Sequence, residues 1–200
     1  MRSKEQFSGE NSSWVKYIRR KPFPIVTVAF LVLTGVITSI QFLYPEIIFL
    51  LYRNPHALLA GEWWRLITPI FIHPEGWNQI IVDFVALALV GIAVEYLFGR
   101  VRWIILYLSG GFIGEIAGYF WQPYSAGSSV ATAGLLGALL FWLILMRQSL
   151  PLQIYIWGYI GLASAVIITA FQNIHGPPII AGALIALLML WHNVNLKKCV

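Results

Sequence analysis

Two residue types that together carry out nucleophilic catalysis stand at the starts of two long apolar stretches. Ser129 opens one of them, within the run Gly127-Ser128-Ser129, and His175 comes directly before the other. If both stretches cross a membrane in the same direction, the hydroxyl and the imidazole lie at similar depth. A histidine beside a serine can remove the hydroxyl proton and later return it to a leaving amine. The pair therefore predicts nucleophilic catalysis by a membrane protein.

A helix that starts at Ser129 would favour this chemistry. The first N–H groups of a helix lack an intrahelical acceptor, and with the helix dipole they stabilise negative charge on a substrate oxygen. Each residue alone also has a purely structural interpretation, as a helix N-cap for the serine and as an interfacial group for His175. Gln79 and Asp83, four residues apart on one helix face, are predicted to share this depth and to donate to the site or orient it. An ionised Asp83 could only accept hydrogen bonds.

The composition indicates which elements must position these groups. Of the 200 residues, 59% are hydrophobic and 10% are charged, which is too apolar for an ordinary soluble domain. The apolar residues fall into stretches that are each near the ~20 residues needed to cross a bilayer as a helix. The predicted spans are residues 23–44, 78–98, 101–121, 129–147, 151–171 and 177–194. We therefore expect an all-α membrane protein with a six-helix domain over 23–195, a polar basic tail over 1–22 and a basic terminus over 196–200.

The basic residues predict the orientation of these spans. With six spans, all of the 13 Lys and Arg except Arg53 and Arg65 fall on one side. Cytoplasmic loops carry the excess of Lys and Arg, so both termini are expected in the cytoplasm. The net charge of +5 then reflects topology and attraction to anionic lipid, and not nucleic-acid binding. The compact chain, without a recognisable organellar transit segment, favours a bacterial inner membrane.

Residues 45–77 form the one long connection between predicted spans. This segment is apolar but interrupted by prolines and a glycine, and it contains Trp63, Trp64 and Arg65. Such a composition is typical of short helices that lie in the membrane interface. A loop that dips into the membrane is the alternative.

Small residues recur at a spacing that allows helices to approach closely in lipid. In the third span they are Gly110, Gly114 and Gly118, and in the fourth they are Gly134 and Gly137. Close packing inside the helix bundle accounts for this pattern.

The remaining polar residues suggest no second site. Cys199 is the only cysteine, which excludes internal disulfides and cysteine-based metal sites. We expect no metal and no cofactor, because the other potential metal ligands are not clustered. Glu95 and Glu115 are predicted to pair with nearby arginine or backbone groups. Solvation is expected for the histidines near loops and span ends, which are His56, His73 and His192.

Over roughly residues 54–190, the chain resembles the rhomboid family of intramembrane serine proteases. The runs Gly61-Glu62-Trp63-Trp64-Arg65 and Glu95-Tyr96-Leu97-Phe98-Gly99 resemble the family's Trp-Arg loop and the Glu-x-x-x-Gly end of its second helix. Gly127-Ser128-Ser129 matches the first three positions of Gly-x-Ser-Gly, with Gly134 and Gly137 at the family's spacing. His175 with Gly182 fits His-x-x-Gly-x-x-x-Gly.

This resemblance implies a fold, an activity and a role for each matched residue. The implied fold is a six-helix bundle whose first loop is embedded in the outer leaflet, and the implied substrates are transmembrane segments of other proteins. Ser129 would be the nucleophile and His175 its general base, a dyad without an aspartate. The groups that support the oxyanion would be Gln79, Asp83 and Gly127. Structural roles would fall to Trp64, Arg65, Glu95, Gly134, Gly137 and Gly182.

The chain also departs from the family's motifs. Val130 replaces the glycine after the nucleophile, where a branched side chain could crowd the turn or the substrate. Pro178 replaces the first glycine after the histidine, and Ala133 replaces an aromatic residue against which the histidine packs. The family's His-x-x-x-Asn appears as Gln79-x-x-x-Asp83. Removal of one oxyanion donor typically lowers the rate by about a hundredfold to a thousandfold.

These departures leave two other hypotheses open. One is a rhomboid-like protein that binds transmembrane clients without cutting them. The other is a small transporter in which Asp83 and Glu115 act as ion or proton relays.

Overall fold

The computed structural model describes residues 23–196, with side chains described as far as Leu190. All regular secondary structure in this part of the chain is helical. The helices are α1 (Ile25–Leu43), α2 (Glu46–Leu51), α3 (Pro55–Leu59), α4 (Trp77–Phe98), α5 (Arg100–Trp121), α6 (Ser129–Leu145), α7 (Leu152–Ala170) and α8 (Gly176–Leu196), and two 3₁₀ helices cover Trp63–Leu66 and Thr68–Phe71. The predicted tail over 1–22, the side chain of His192 and the predicted terminus beyond residue 196, with Cys199, lie outside the described residues.

Each predicted span corresponds to one long helix, and no helix end differs from its prediction by more than two residues. The helices α1, α4, α5 and α7 are long and apolar enough to cross a membrane. The helix α6 has 17 residues and is a shorter apolar helix, and the part of α8 whose side chains are described, Gly176–Leu190, is apolar as well.

The helix α6 forms the centre of the bundle. It packs mainly against α5 and α8 and also contacts α4 and α7, whereas α1 packs on α4. Most of its side chains from Val130 to Leu140 are buried, and Leu135 and Ala138 belong to the main hydrophobic core. A helix that is apolar on every face is typical of such a fully enclosed position.

Glycines let α5 and α8 approach α6 from two sides. A methyl group added at Gly110 of α5 would lie 2.6 Å from the Cα atom of Gly134 in α6. On another side, the backbone of Gly134 contacts Gly182 of α8, and Gly137 contacts the backbone of Ile179. The structure therefore agrees with the packing role predicted for these small residues, since backbone meets backbone at each contact.

The segment between α1 and α4 contains short helices, and Arg65 holds it together. The Nη1 atom of this buried arginine donates to the carbonyl oxygens of Phe49 (3.0 Å) and Tyr52 (2.7 Å), and its Nε atom donates to the carboxylate of Glu62 (2.7 Å). The neighbouring Trp64 is half exposed and donates from Nε1 to the Leu50 carbonyl oxygen (3.3 Å). One guanidinium thus joins the α2 region to the first 3₁₀ helix.

Glu95 binds backbone groups, one of the two kinds of partner predicted for it. Its two carboxylate oxygens accept hydrogen bonds from the backbone N–H groups of Val26 (3.0 Å) and Thr27 (2.7 Å), and from the Thr27 hydroxyl (2.7 Å). The Nε atom of Arg100 is more distant, at 3.8 Å. A carboxylate on α4 therefore caps the first turn of α1, where N–H groups lack helical acceptors.

The glycine contacts predict different effects on stability for two matched substitutions. Gly110→Ala would press a methyl group into the α6 backbone, so we expect it to lower the free energy of unfolding by about 2 kcal/mol. At Gly35 of α1 the added methyl group would lie 3.7 Å from the Phe84 ring, an ordinary contact. Gly35→Ala should be neutral or stabilising by up to about 1 kcal/mol, because alanine is the better helix former. Unfolding in detergent micelles measures both, and equal effects would contradict this account.

Candidate active site

The first turns of α4 and α6 and the residues directly before α8 meet at one end of the bundle, around a cavity of about 380 Å³. Ser129 is the first residue of α6, and His175 directly precedes α8. Both line this cavity, together with Gln79 and Asp83 from α4. The structure therefore brings the four residues predicted to share one depth together around one cavity.

The Ser129 hydroxyl and the His175 imidazole are within hydrogen-bond distance. The Nε2 atom of His175 lies 3.0 Å from the Oγ atom of Ser129. The other ring nitrogen, Nδ1, lies 2.9 Å from the Oδ1 atom of Asn173, which also accepts the backbone N–H of His175 at 2.9 Å. A carbonyl oxygen only accepts, so Nδ1 carries the proton in the neutral ring. The Nε2 atom is then free to accept the serine proton.

Asn173 was missed by the sequence analysis. It lies in the tight turn that joins α7 to α8, where Gln172 has a left-handed backbone with φ of 58°. The backbone N–H of Asn173 donates to the Ile168 carbonyl oxygen (2.9 Å), which fixes the turn on the end of α7. The one feature of the sequence that could have indicated this role is the position of Asn173, an amide side chain two residues before the predicted general base. The sequence alone does not show that the turn folds this side chain back onto the ring.

Burial lowers the pKa of His175 below its ordinary value of 6.5, because a charged imidazolium loses hydration in the cavity. The negative charges of Asp83 and Glu75 oppose this shift, and the positive charge of Arg53 adds to it. The net direction favours the neutral imidazole, which is the form that can act as a base.

Gly127 allows the segment before the serine to pass close to α4. A methyl group at this position would lie 2.5 Å from the Nε2 atom of Gln79 and 3.5 Å from the Oγ atom of Ser129. The backbone N–H of Gly127 donates to the Pro69 carbonyl oxygen at 3.0 Å. This contact ties the serine-bearing segment to the second 3₁₀ helix.

Gln79 lies beside this segment and is already hydrogen-bonded. Its Nε2 atom donates to the Ala126 carbonyl oxygen (2.7 Å), and its Oε1 atom accepts the backbone N–H of Glu75 (3.0 Å). The Nε2 atom of an amide carries two protons, so one N–H of Gln79 remains for a further acceptor.

Asp83 and His73 form a contact that the sequence analysis did not predict. The Oδ2 atom of Asp83 accepts the Ser128 hydroxyl at 3.2 Å and lies 3.4 Å from the Nε2 atom of His73. The prediction that His73 is solvated is wrong: its side chain is completely buried. The reason is that the chain between the second 3₁₀ helix and α4 packs against α1, where Thr38 and Gln41 bind the histidine.

Glu115 has its predicted arginine partner, although not one close in sequence. The Nη1 atom of Arg53 lies 3.2 Å from the Oε2 atom of Glu115, and both side chains are fully buried. The guanidinium lies against Gly118 of α5. Both carboxylates that the transporter hypothesis would use, Asp83 and Glu115, are therefore held by buried partners.

The departures from the family's motifs are accommodated by the fold. The Val130 side chain is buried against Gly114 of α5, where an added methyl group would lie 2.5 Å from the Val130 Cβ atom. It therefore points into the bundle and does not line the cavity, so of the two possibilities, crowding of the turn or of the substrate, the structure does not support the second. Pro178 lies in the first turn of α8, where proline costs no helical hydrogen bond. Ala133 is buried in a small cluster with Ile179.

Comparison with known proteins agrees with this architecture. A family model for the Rhomboid domain matches residues 60–195. The chain is similar to the putative rhomboid protease YdcA of Bacillus subtilis (strain 168), with 30% identity over 159 residues that cover 76% of this chain and 78% of YdcA. It is 48% identical over 88 residues to the rhomboid protease GluP of the same organism, a match that covers 43% of this chain and 17% of GluP. RHOMBOID-like protein 7 of Arabidopsis thaliana is 30% identical over 139 residues, which cover 64% of this chain and 44% of that protein.

A family match over more than half of the chain, a relative similar over most of its length and apolar helices long enough to cross a membrane all agree. The chain therefore belongs to the rhomboid family of intramembrane proteases and is an integral membrane protein.

Proposed function

We propose that this protein is a serine endopeptidase that cleaves transmembrane segments of other membrane proteins with the dyad Ser129 and His175. The observation that carries the proposal is the 3.0 Å contact between the His175 Nε2 atom and the Ser129 Oγ atom, with Asn173 on the opposite ring nitrogen. A nucleophile, a base and a group that orients the base form the arrangement required for acyl transfer.

The reaction follows from the protonation state of this ring. The Ser129 Oγ atom forms a bond to the scissile carbonyl carbon while its proton moves to the His175 Nε2 atom. The resulting tetrahedral intermediate carries a negative oxygen. It collapses when the C–N bond breaks, and the imidazolium gives its proton to the leaving amine. Water then attacks the Ser129 ester with His175 again as base, which releases the second product and restores the serine.

The oxyanion would be stabilised by two groups at the start of α6. The backbone N–H of Ser129 belongs to the first turn, where the N–H groups have no helical acceptor. The second N–H of the Gln79 amide is close, since Nε2 lies against Gly127. Asp83 accepts from Ser128 and contributes no donor in its ionised form.

Six membrane spans, with both termini in the cytoplasm, complete the proposal. Six of the described helices would supply the spans, and α6, which the others enclose, is the shortest of these six. The positive-inside rule then puts the dyad in the outer leaflet of a bacterial inner membrane. The short helices between α1 and α4 would lie in the interface on the same side.

An alternative function is binding of transmembrane clients without cleavage. The observation that favours it is the environment of the oxyanion: Gln79 already donates to Ala126, and Asp83 supplies a carboxylate where the family has an amide. Such a protein would retain its fold and its cavity but stabilise a tetrahedral intermediate poorly.

Labelling with a fluorophosphonate probe tests the proposal without knowledge of the substrate. The parent protein, purified in detergent, should be labelled, and both Ser129→Ala and His175→Ala should abolish labelling because nucleophile and base act as one unit. Ser149→Ala, which changes an exposed serine in the connection between α6 and α7, is the matched control and should be labelled like the parent. A folded parent that is not labelled would refute the protease and favour client binding.

A second prediction concerns Asn173. Asn173→Ala removes the acceptor for Nδ1, so the ring can take the wrong tautomer, and we expect the labelling rate to fall by about tenfold to a hundredfold. Asn173→Asp keeps an acceptor and should retain most of the rate. Gln172→Asn is the control, because asparagine tolerates the left-handed backbone at that position. A rate unaffected by Asn173→Ala would show that the amide does not orient the base.

The labelling rate should also depend on pH through His175. Only the neutral ring is a base, so the rate should rise with pH and reach its plateau above the pKa of His175. Burial lowers this pKa, so the midpoint should lie below 6.5. Asn173→Asp should move the midpoint upward, since a carboxylate on Nδ1 favours the imidazolium. A midpoint above 6.5 in the parent would contradict the burial argument.

A further inference from the structure

A second buried histidine lies near the dyad, and we call its surroundings the His73 cluster: His73, Asp83, Ser128, Thr38 and Gln41. The Nε2 atom of His73 lies 3.4 Å from the Asp83 Oδ2 atom and 3.3 Å from the Ser128 Oγ atom, and the Ser128 hydroxyl donates to the same Oδ2 atom. The side chains of His73, Asp83 and Ser128 are at most 4% exposed. A buried cluster in which each polar group is paired is energetically stable and geometrically defined.

The cluster reaches the reaction centre through two neighbouring residues. Ser128 directly precedes Ser129, so a fixed Ser128 side chain defines where α6 begins. The Asp83 Oδ2 atom lies 3.4 Å from the position of a Cβ atom at Gly127, on the segment beside which the oxyanion would form. An unshielded carboxylate at this place would oppose negative charge in the transition state, because electrostatic effects are strong where water is excluded.

We propose that His73 is a positioning residue for the proposed peptidase reaction: it shields the Asp83 carboxylate and, through Asp83 and Ser128, holds the segment that carries the nucleophile. This inference rests on the proposed function. The Nε2 atom of His73 donates to the Ser128 Oγ atom, and the Ser128 hydroxyl in turn donates to the Asp83 Oδ2 atom, which lies 3.4 Å from the imidazole. Asp83 thus acts as an anchor in this chain and not as an oxyanion donor.

The helix α1 holds the histidine from the other side. Gln41 forms two hydrogen bonds with the His73 backbone, one from its Nε2 atom to the carbonyl oxygen (2.7 Å) and one from the His73 N–H to its Oε1 atom (2.9 Å). The Thr38 hydroxyl lies 3.2 Å from the ring Nδ1 atom. The family match begins at residue 60, so α1 precedes it and yet fixes a group beside the nucleophile.

A double-mutant cycle on the fluorophosphonate reaction tests this role. The measured quantities are the maximal labelling rate and the half-saturating probe concentration. With Asp83 present, His73→Ala should lower the maximal rate by about tenfold and leave the half-saturating concentration unchanged, because the shielding acts on the transition state. In the background of Asp83→Asn, where residue 83 carries no charge, His73→Ala should lower the maximal labelling rate by less than about threefold.

A merely structural role of His73 predicts a different result. The asparagine at position 83 has the shape of aspartate and cannot fill the space left by the imidazole. If His73 only filled space, His73→Ala would therefore lower the maximal labelling rate by the same factor in both backgrounds. That outcome, confirmed on variants shown to be folded by thermal unfolding, would overturn the inference. His56→Ala, which changes the exposed histidine of α3, is the matched control and should behave like the parent.

A further variant keeps the test decisive if His73→Ala does not fold. His73→Gln retains an amide that can donate to the Ser128 hydroxyl oxygen beside Asp83, so at least about a third of the parent's rate should remain. A loss of about tenfold or more in folded His73→Gln would overturn the inference. A parent that is not labelled refutes the proposed function and this inference together, whereas a labelled parent without any effect at His73 refutes this inference alone.

Discussion

The approach of three helix backbones at α6 is the constraint on which the site depends. Gly134 contacts α5 at Gly110 and α8 at Gly182, so α6 has almost no freedom to shift between its neighbours. The same packing sets the distance between the first turn of α6, with Ser129, and the residue before α8, which is His175. A displacement of about 1 Å at a reacting pair can lower a rate by about a hundredfold. Side chains larger than hydrogen at these contacts would therefore disturb the chemistry as well as the fold.

In addition to the helix packing, buried polar contacts join segments that are distant along the chain. Glu95 fixes the start of α1, Arg53 and Glu115 join the chain before α3 to α5, and Asp83 joins α4 to the segment before α6. Within the described residues, the pair Arg53–Glu115 leaves the Nε atom of Arg53 and the Oε1 atom of Glu115 without hydrogen-bond partners. Breaking such a pair is expected to cost more than replacing it whole, since one charge would remain buried and unpaired.

The helices and the main pair of the site could be predicted from sequence because they depend on simple physical rules. Spans of about 20 apolar residues define helices, and spans that run in the same direction bring Ser129 and His175 to one end. What could not be predicted depends on the direction in which single side chains point. For Val130 the sequence left open that its side chain crowds the turn or the substrate, whereas it faces Gly114. Asn173 contacts the histidine within a tight turn in which Gln172 adopts a left-handed backbone. His73 was assigned to solvent because nothing local indicates that the chain folds back against α1.

The contact between Val130 and Gly114 has an evolutionary consequence. The Val130 side chain at the start of α6 occupies space that is free because residue 114 of α5 is a glycine. A large residue on one helix is thus matched by a small residue on the other. Substitutions at such positions should be accepted in pairs, with a larger residue on one helix compensated by a smaller one on the other. The loss of the motif glycine after the nucleophile therefore does not by itself indicate that a family member is inactive. The residue that faces it on α5 determines whether the lineage could accept the change.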